Sequence, residues 1–279
     1  MKKIIALCLV LGTLPVMAEV VKSSVHSVEK VDGNYLVKFD NGRVGFLSTN
    51  EKSLGAPNLD GLEGQMVEAK LDSNSTIKSI QTIDEQTENN KNLILMLEPV
   101  EPVNPPVYEP TVIPSLKEAT KFFKRLNPNY NRASECSNRA HVWAHEEFTK
   151  NNIKSEKVFA FFTASYINRV RFKWWYHVAP LLTVNEGGKN VKRVMDYMFN
   201  HRPLTVKEWT DQLVFSKRPC KHTTKFSEYD VNPQTEDCYL MDGSMYNWTP
   251  ADLKNQELNS RFKTEFSQDE IRAAYSEAF

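Results

Sequence analysis

Six prolines and no glycine fall within residues 98–114, EPVEPVNPPVYEPTVIP. Proline fixes φ and lacks a backbone N–H, so this stretch is unsuited to a helix or a central strand. It reads as an extended, semi-rigid spacer, or else as a loop clamped onto a neighbouring unit. Either way it divides the 279-residue chain into an early segment, 19–97, and a later one, 115–279. Six of the ten glycines lie in the early segment, whereas all five tryptophans lie in the later one. The larger core is therefore expected after the spacer.

In the early segment, Tyr35 to Phe39 alternates, Asp40-Asn41-Gly42 turns, and Val44-Gly45-Phe46 returns, which is a hairpin signal. Gln65 to Leu71 and Thr76 to Ile83 add short strands, and a small β-rich domain, a compact barrel, is expected. In the later segment, helices are expected from Ser115 to about Arg125 and from Ala133 to Asn151. Strands are expected over Val158–Thr163, Trp174–Val184 and Val191–Asp196. Ser267 with Glu270 predicts a capping box before a last helix. Helices with an antiparallel sheet make the class α+β.

The N-terminus reads MKKIIALCLVLGTLPVMA: two lysines, a short apolar run and a small-x-small end. This is the pattern of a signal peptide cleaved after Ala18, which implies a secreted or periplasmic protein. No later stretch is long and apolar enough to span a membrane. Loss of residues 1–18 takes Lys2 and Lys3, leaving 33 basic against 35 acidic residues. With no basic stripe, nucleic acid is excluded as the expected partner. We expect a monomer.

Three cysteines remain in the exported chain. Cys220 and Cys238, 18 apart in a turn-rich stretch, are the natural disulfide in an oxidising compartment. Cys136 is then the odd thiol. A buried structural cysteine would satisfy the same count, so its surroundings decide. With Ser134 as N-cap, Cys136 falls in the first helical turn, where the helix dipole and free N–H groups stabilise a thiolate. Further on, WWYHVAPLLTVNEGGKNVKRVMD reads as two strands about a turn. If the hairpin closes between Glu186 and Gly187, His177 faces Asp196 directly across the ladder, with Cβ atoms roughly 5 Å apart. A carboxylate there fixes the imidazole tautomer. Thiol, base and orienting acid are the parts of a Cys-His-Asp hydrolase site.

The blocks ECSNRAH, WWYHVAPLL and KRVMDYMF, followed by PLT and Trp209, resemble the bacterial protein-glutaminase family of protein deamidases. The resemblance covers roughly residues 115–250. It implies a papain- or transglutaminase-like core that hydrolyses the side-chain amide of protein-bound glutamine to glutamate and ammonia. Proteins with exposed glutamine are the implied partners, with Cys136, His177 and Asp196 as the catalytic residues and no metal or organic cofactor. It also implies export with an N-terminal pro-region, a role open to residues 19–97.

Other residues invite competing readings. Trp175 falls on the His177 face by alternation and is a candidate wall of the substrate channel; core packing explains it equally well. His141 and His145 are spaced to share a metal, but HVWAHEE lacks the protease arrangement. Packing is the simpler role for both, with His141 also a candidate cleft residue. Asp211 and Asp242 are alternative orienting acids. Arg169, Arg171 and Lys173 are expected to form an exposed strand face. A transglutaminase, a cysteine peptidase and a catalytically silent envelope-binding protein are the rival functions.

Overall fold

The computed structural model describes residues 19–48, 59–83, 107–125, 135–230 and 236–279. The expected signal segment, Ser134 and the first half of the expected spacer lie outside them.

Five strands build the early unit: β1 (Glu19–Val31), β2 (Asn34–Phe39), β3 (Val44–Ser48), β4 (Met66–Leu71) and β5 (Ile77–Thr82). β1 is long enough to serve two partners. Its first half pairs antiparallel with β4 and its second half with β2, the change coming at an irregularity between Val25 and Ser27. Such a bulge bends a strand and lets a sheet curl. The order β3-β2-β1-β4-β5 is then drawn into a barrel by a parallel bridge from Phe46 to Thr76. This is the strand order of a small Greek-key barrel of the OB type. Val21, Val25, Val37, Phe39, Val67 and Ile77 fill it.

The later unit runs β6 (Val112–Ile113), α1 (Leu116–Lys124), α2 (Cys136–Asn151), β7 (Glu156–Phe162), α3 (Ala164–Val170), β8 (Tyr176–Glu186), β9 (Lys189–Val194) and β10 (Leu204–Thr205). It continues with α4 (Val206–Leu213), β11 (Lys221–His222), α5 (Ser227–Asp230), β12 (Cys238–Ser244), α6 (Pro250–Asn259) and α7 (Gln268–Ala278). One sheet runs β10-β9-β8-β7-β12-β11, with β6 beside β8. Its long pairs are antiparallel, so the unit is α+β. β8 is buried on both faces, Leu181 facing one core and Leu182 the other. Helices α1, α2 and α7 cover the Leu182 side. Cys220 and Cys238 form a disulfide with Cα atoms 4.8 Å apart at the β11–β12 edge. Closing a loop of this length contributes about 3 kcal/mol through the unfolded chain.

Several expectations change. From Val107 the expected spacer is not free: β6 lies parallel to β8 as part of the sheet, and Thr111 N–H donates to Lys154 O at 2.9 Å. The β8–β9 hairpin pairs Glu186 with Lys189, so its register is shifted by two residues from the expected one. The two-residue turn demands positive φ, and Gly187 and Gly188 supply it at 64° and 88°. Ser267 is the N-cap of α7 but makes no side-chain cap bond, and the Glu270 carboxylate that would complete the box pairs with Lys263 at 2.5 Å. Arg169 and Arg171 belong to α3 and its C-cap rather than to a strand.

The barrel is not an independent bead. Leu36, Val44 and Phe46 join the same apolar cluster as Phe159, Phe161 and Trp175 of the later unit. Lys38 is buried at this junction, 3.1 Å from Tyr229 Oη and 2.5 Å from Glu29 Oε1. Burial alone would lower its pKa, but Tyr229 and Glu29 outweigh that and hold it up at about 12. The cation is thus kept where the two units meet.

Barrel closure leaves no space at Gly45, where an added Cβ would stand 2.6 Å from Ile77 Cγ1 and 3.2 Å from Leu71 Cδ2. Gly45→Ala is expected to destabilise the barrel by about 1–3 kcal/mol, the usual cost of overpacking. Urea unfolding checks this, with an unchanged midpoint contradicting it.

Candidate active site

Cys136 is the first residue of α2, and Glu135 is the N-cap, with extended backbone and no side-chain cap bond. The first N–H groups of a helix lack intrahelical acceptors and point along the positive end of its dipole. Cys136 is a free, half-buried cysteine, so it combines that placement with access. His177 is the second residue of β8, at the end of the strand that faces the helix start.

Asp196 follows β9 by two residues. With the register shifted, it does not sit opposite His177 on the ladder. Its side chain instead turns back, and its Oδ2 lies 2.7 Å from His177 Nε2. Trp209, on α4, donates its indole N–H to the same oxygen at 2.8 Å. A capping box between Thr205 and Glu208 starts that helix and sets Trp209 in its first turn. Asp211 is instead paired with Lys207, and Asp242 with Lys192.

Both members of the pair are buried, His177 at 4% and Asp196 at 6% exposure. Burial pushes the Asp196 carboxyl up in pKa, but His177 and the Trp209 donor bring it below the ordinary aspartate value. Burial likewise pushes His177 down, and is overcome by Asp196 and by Cys136, which hydrogen-bonds the ring; its pKa rises to about 10. An imidazolium held between a carboxylate and a sulfur is the state that keeps a thiolate available. With Nε2 engaged by Asp196, Nδ1 is the nitrogen left for the thiol. Trp174 stacks along the imidazole at 6.3 Å and Phe199 meets it edge-on at 5.0 Å.

Two cavities adjoin the thiol. A small one of about 30 Å³ lies between Cys136, Ala140, His177, Ala179 and Met195, room for about one water. A larger one of about 540 Å³ opens between the units, with Cys136, Trp174 and His177 on one side and Glu19, Asn41 and Arg43 of the barrel on the other.

Residues 115–213 match the model of a protein family described as Glutaminase. Among curated proteins none matches the sequence. Solved structures that resemble the chain include a pro-protein-glutaminase at 18% identity, over 82% of this chain and 83% of that one, TM-score 0.47. A mutant of pro-protein-glutaminase is similar at 16% identity over 92% and 98%, TM-score 0.49. Protein-glutaminase from Chryseobacterium proteolyticum is similar at 18% identity over 58% and 97%, TM-score 0.35.

Of the residues singled out from sequence, Cys136, His177 and Asp196, all within the matched residues 115–213, come together. Trp175 and His141 do not line either cavity. Trp175 is 1% exposed, its indole N–H donating to Phe39 O of the barrel and its ring stacked on His26 at 4.3 Å. His141 is fully buried and its Nδ1 lies 2.7 Å from Lys157 Nζ. Trp174, Phe199 and Trp209 carry the contacts around the imidazole and its acid. Only Trp209 had a readable signal for its placement, the T-x-x-E that begins α4.

Trp209→Phe removes one charge-assisted bond to Asp196, worth about 1.5–3 kcal/mol. The expected outcome is a loss of kcat/KM for amide hydrolysis of about ten- to hundredfold, with the Asp196 carboxyl, which the indole helps hold below the ordinary aspartate value, rising in pKa. NMR of the Asp196 carboxyl and steady-state kinetics check both. An unchanged titration would mean the indole is only packing.

Proposed function

We propose that the chain is an exported protein-glutamine deamidase. The observation that carries this reading is a free thiol at a helix start beside a buried His–Asp pair, within residues that match the Glutaminase family model. Cys136 thiolate attacks the carboxamide carbon of a glutamine side chain. The tetrahedral oxyanion is held by N–H groups at the start of α2, that of Cys136 among them. His177 gives its proton to the departing ammonia, leaving a thioester on Cys136. It then takes a proton from water, which attacks the thioester and releases glutamate with the thiol restored. Asp196 keeps the imidazole oriented and balances its charge.

Export rests on the N-terminal signal pattern and on the Cys220–Cys238 bridge, which suits an oxidising compartment. Among the described residues no helix is long and apolar enough to cross a membrane.

The barrel acts as an inhibitory pro-region in this reading. Its turn at residues 39–44 lies on the segment that leads into His177. Trp175 donates its backbone N–H to Gly42 O at 2.9 Å and its indole to Phe39 O at 2.7 Å; Tyr176 Oη lies 3.4 Å from Asp40 O. Gly42, at φ 86°, approaches the Tyr176 ring so closely that a Cβ would stand 3.1 Å away. Cleavage on the N-terminal side of Val107 would separate barrel from sheet while keeping β6 in place.

Each turnover is expected to raise substrate mass by about one dalton with release of ammonia, the amide-to-acid change of a thioester route. Cys136→Ala is expected to release none. Shortened peptides would indicate a peptidase, and crosslinked species a transglutaminase.

The inhibitory role is tested on the full chain before and after limited proteolysis between the units. Faster ammonia release and faster alkylation of Cys136 are expected after cutting. Equal rates by both measures would leave the barrel as a module that does not guard the site.

A further inference from the structure

Tyr176 is the first residue of β8 and the neighbour of His177, yet the hydrolytic steps leave its hydroxyl unused. It is 1% exposed and borders the larger cavity together with Cys136, His177 and Glu135. The later unit fixes its ring. Its backbone pairs with Phe161 of β7, and the ring packs against Trp175 at 4.7 Å and Phe161 at 6.5 Å. Burial pushes the phenol well above the ordinary tyrosine pKa, Cys136 and Glu135 push it further, and Ser137 draws it only partly back. Its polar neighbours are thus the residues that start α2, and it keeps a proton to donate. The acceptor it has is foreign to the later unit: the hydroxyl donates to Asp40 O of the barrel at 3.4 Å, long for a hydroxyl bond. A carbonyl oxygen already stands in front of this donor.

We propose that Tyr176 is a catalytic residue: once the barrel leaves, its hydroxyl donates to the oxygen that gains charge when Cys136 attacks, alongside the N–H groups at the start of α2. The inference rests on the deamidase reading of the site. Departure of the barrel takes Asp40 O away, and a phenol facing the cavity then needs another acceptor. The carboxamide oxygen of the substrate supplies it. As the Cys136 sulfur bonds the carboxamide carbon, the π pair of the C=O bond moves onto oxygen, where Tyr176 and the helix start both donate. The pair returns as the C–N bond breaks, and ammonia leaves with the proton of His177. Tyr176 keeps its own proton throughout. The same contact serves the attack of water on the thioester. A donor that β7 and Trp175 already hold in place costs no reorganisation during the reaction. A tyrosine that only seated the barrel would matter to docking and not to turnover.

The test compares the full chain, cut on the N-terminal side of Val107, with Tyr176→Phe treated in the same way; the substitution keeps the ring and removes one oxygen. Three rates are read. Ammonia release from a glutamine-containing protein gives kcat and KM. Release of nitrophenolate from p-nitrophenyl acetate gives acylation of Cys136 through an oxyanion without any glutamine. Alkylation by iodoacetamide consumes the thiolate and forms no oxyanion. Tyr176→Phe is expected to lower kcat and acylation about a hundredfold, the scale of losing one oxyanion donor, with KM and alkylation within about twofold of wild type. Barrel still bound after the cut would be held less tightly by the variant and raise its rates, opposite to the expected loss. Wild-type kcat and acylation in Tyr176→Phe overturn the assignment. So does a loss shared equally by alkylation, which marks a thiol displaced by packing. Acylation that depends on the hydroxyl, with no ammonia from the wild-type protein, would overturn the deamidase reading and leave the donor standing.

Discussion

A carboxylate and an imidazole buried together at 2.7 Å are the constraint around which the later unit is organised. Neither tolerates burial alone: an unpaired buried charge costs several kcal/mol. Their pairing, with the Trp209 indole as a further donor, turns that cost into a fixed orientation. Three elements must close for it to exist. β8 presents the imidazole, the chain after β9 bends back with the acid, and α4 brings the indole. The start of α2 then needs only to set a sulfur beside the imidazole for the polar site to be complete. Trp174 and Phe199 pack against the imidazole.

The same economy explains how the barrel attaches. It uses polar main-chain groups at Gly42 and Val44, a stacked His26 and a buried Lys38, rather than a broad apolar face. Leu36, Val44 and Phe46 supply the apolar part. Such an interface is specific yet contains groups that water can satisfy after separation. That suits the proposed inhibitory role, in which the barrel folds with the later unit and leaves it after cleavage.

Much of the site was legible in the sequence because its signals are local. An odd cysteine ahead of a helix and a histidine and aspartate flanking a Gly-Gly turn are patterns of neighbours. The assumed hairpin register was wrong by two residues, yet His177 and Asp196 still meet. The β8–β9 ladder ends at Leu181 and Val194, and it is the chain bending back after β9, not the strand register, that carries the carboxylate to the imidazole. Trp175 failed for a related reason: alternation was carried back past the start of β8, where the barrel, not β9, is the neighbour. His141 failed because five residues along a helix turn the side chain about 140° from Cys136. It lies on Lys157 instead. The docking of residues 39–44 on 173–176 was out of reach, since such long-range contacts leave no pattern in either segment.

The central claim is that Cys136 carries an acyl group that water, and no other nucleophile, removes. Turnover of a glutamine-containing protein in water enriched in oxygen-18 reads this directly. Each new carboxyl is expected to hold one heavy oxygen, raising substrate mass by about three daltons per site as thioester hydrolysis requires, with no change for Cys136→Ala. Ammonia release without heavy oxygen in the product, or label introduced equally by the Cys136→Ala protein, would contradict the account.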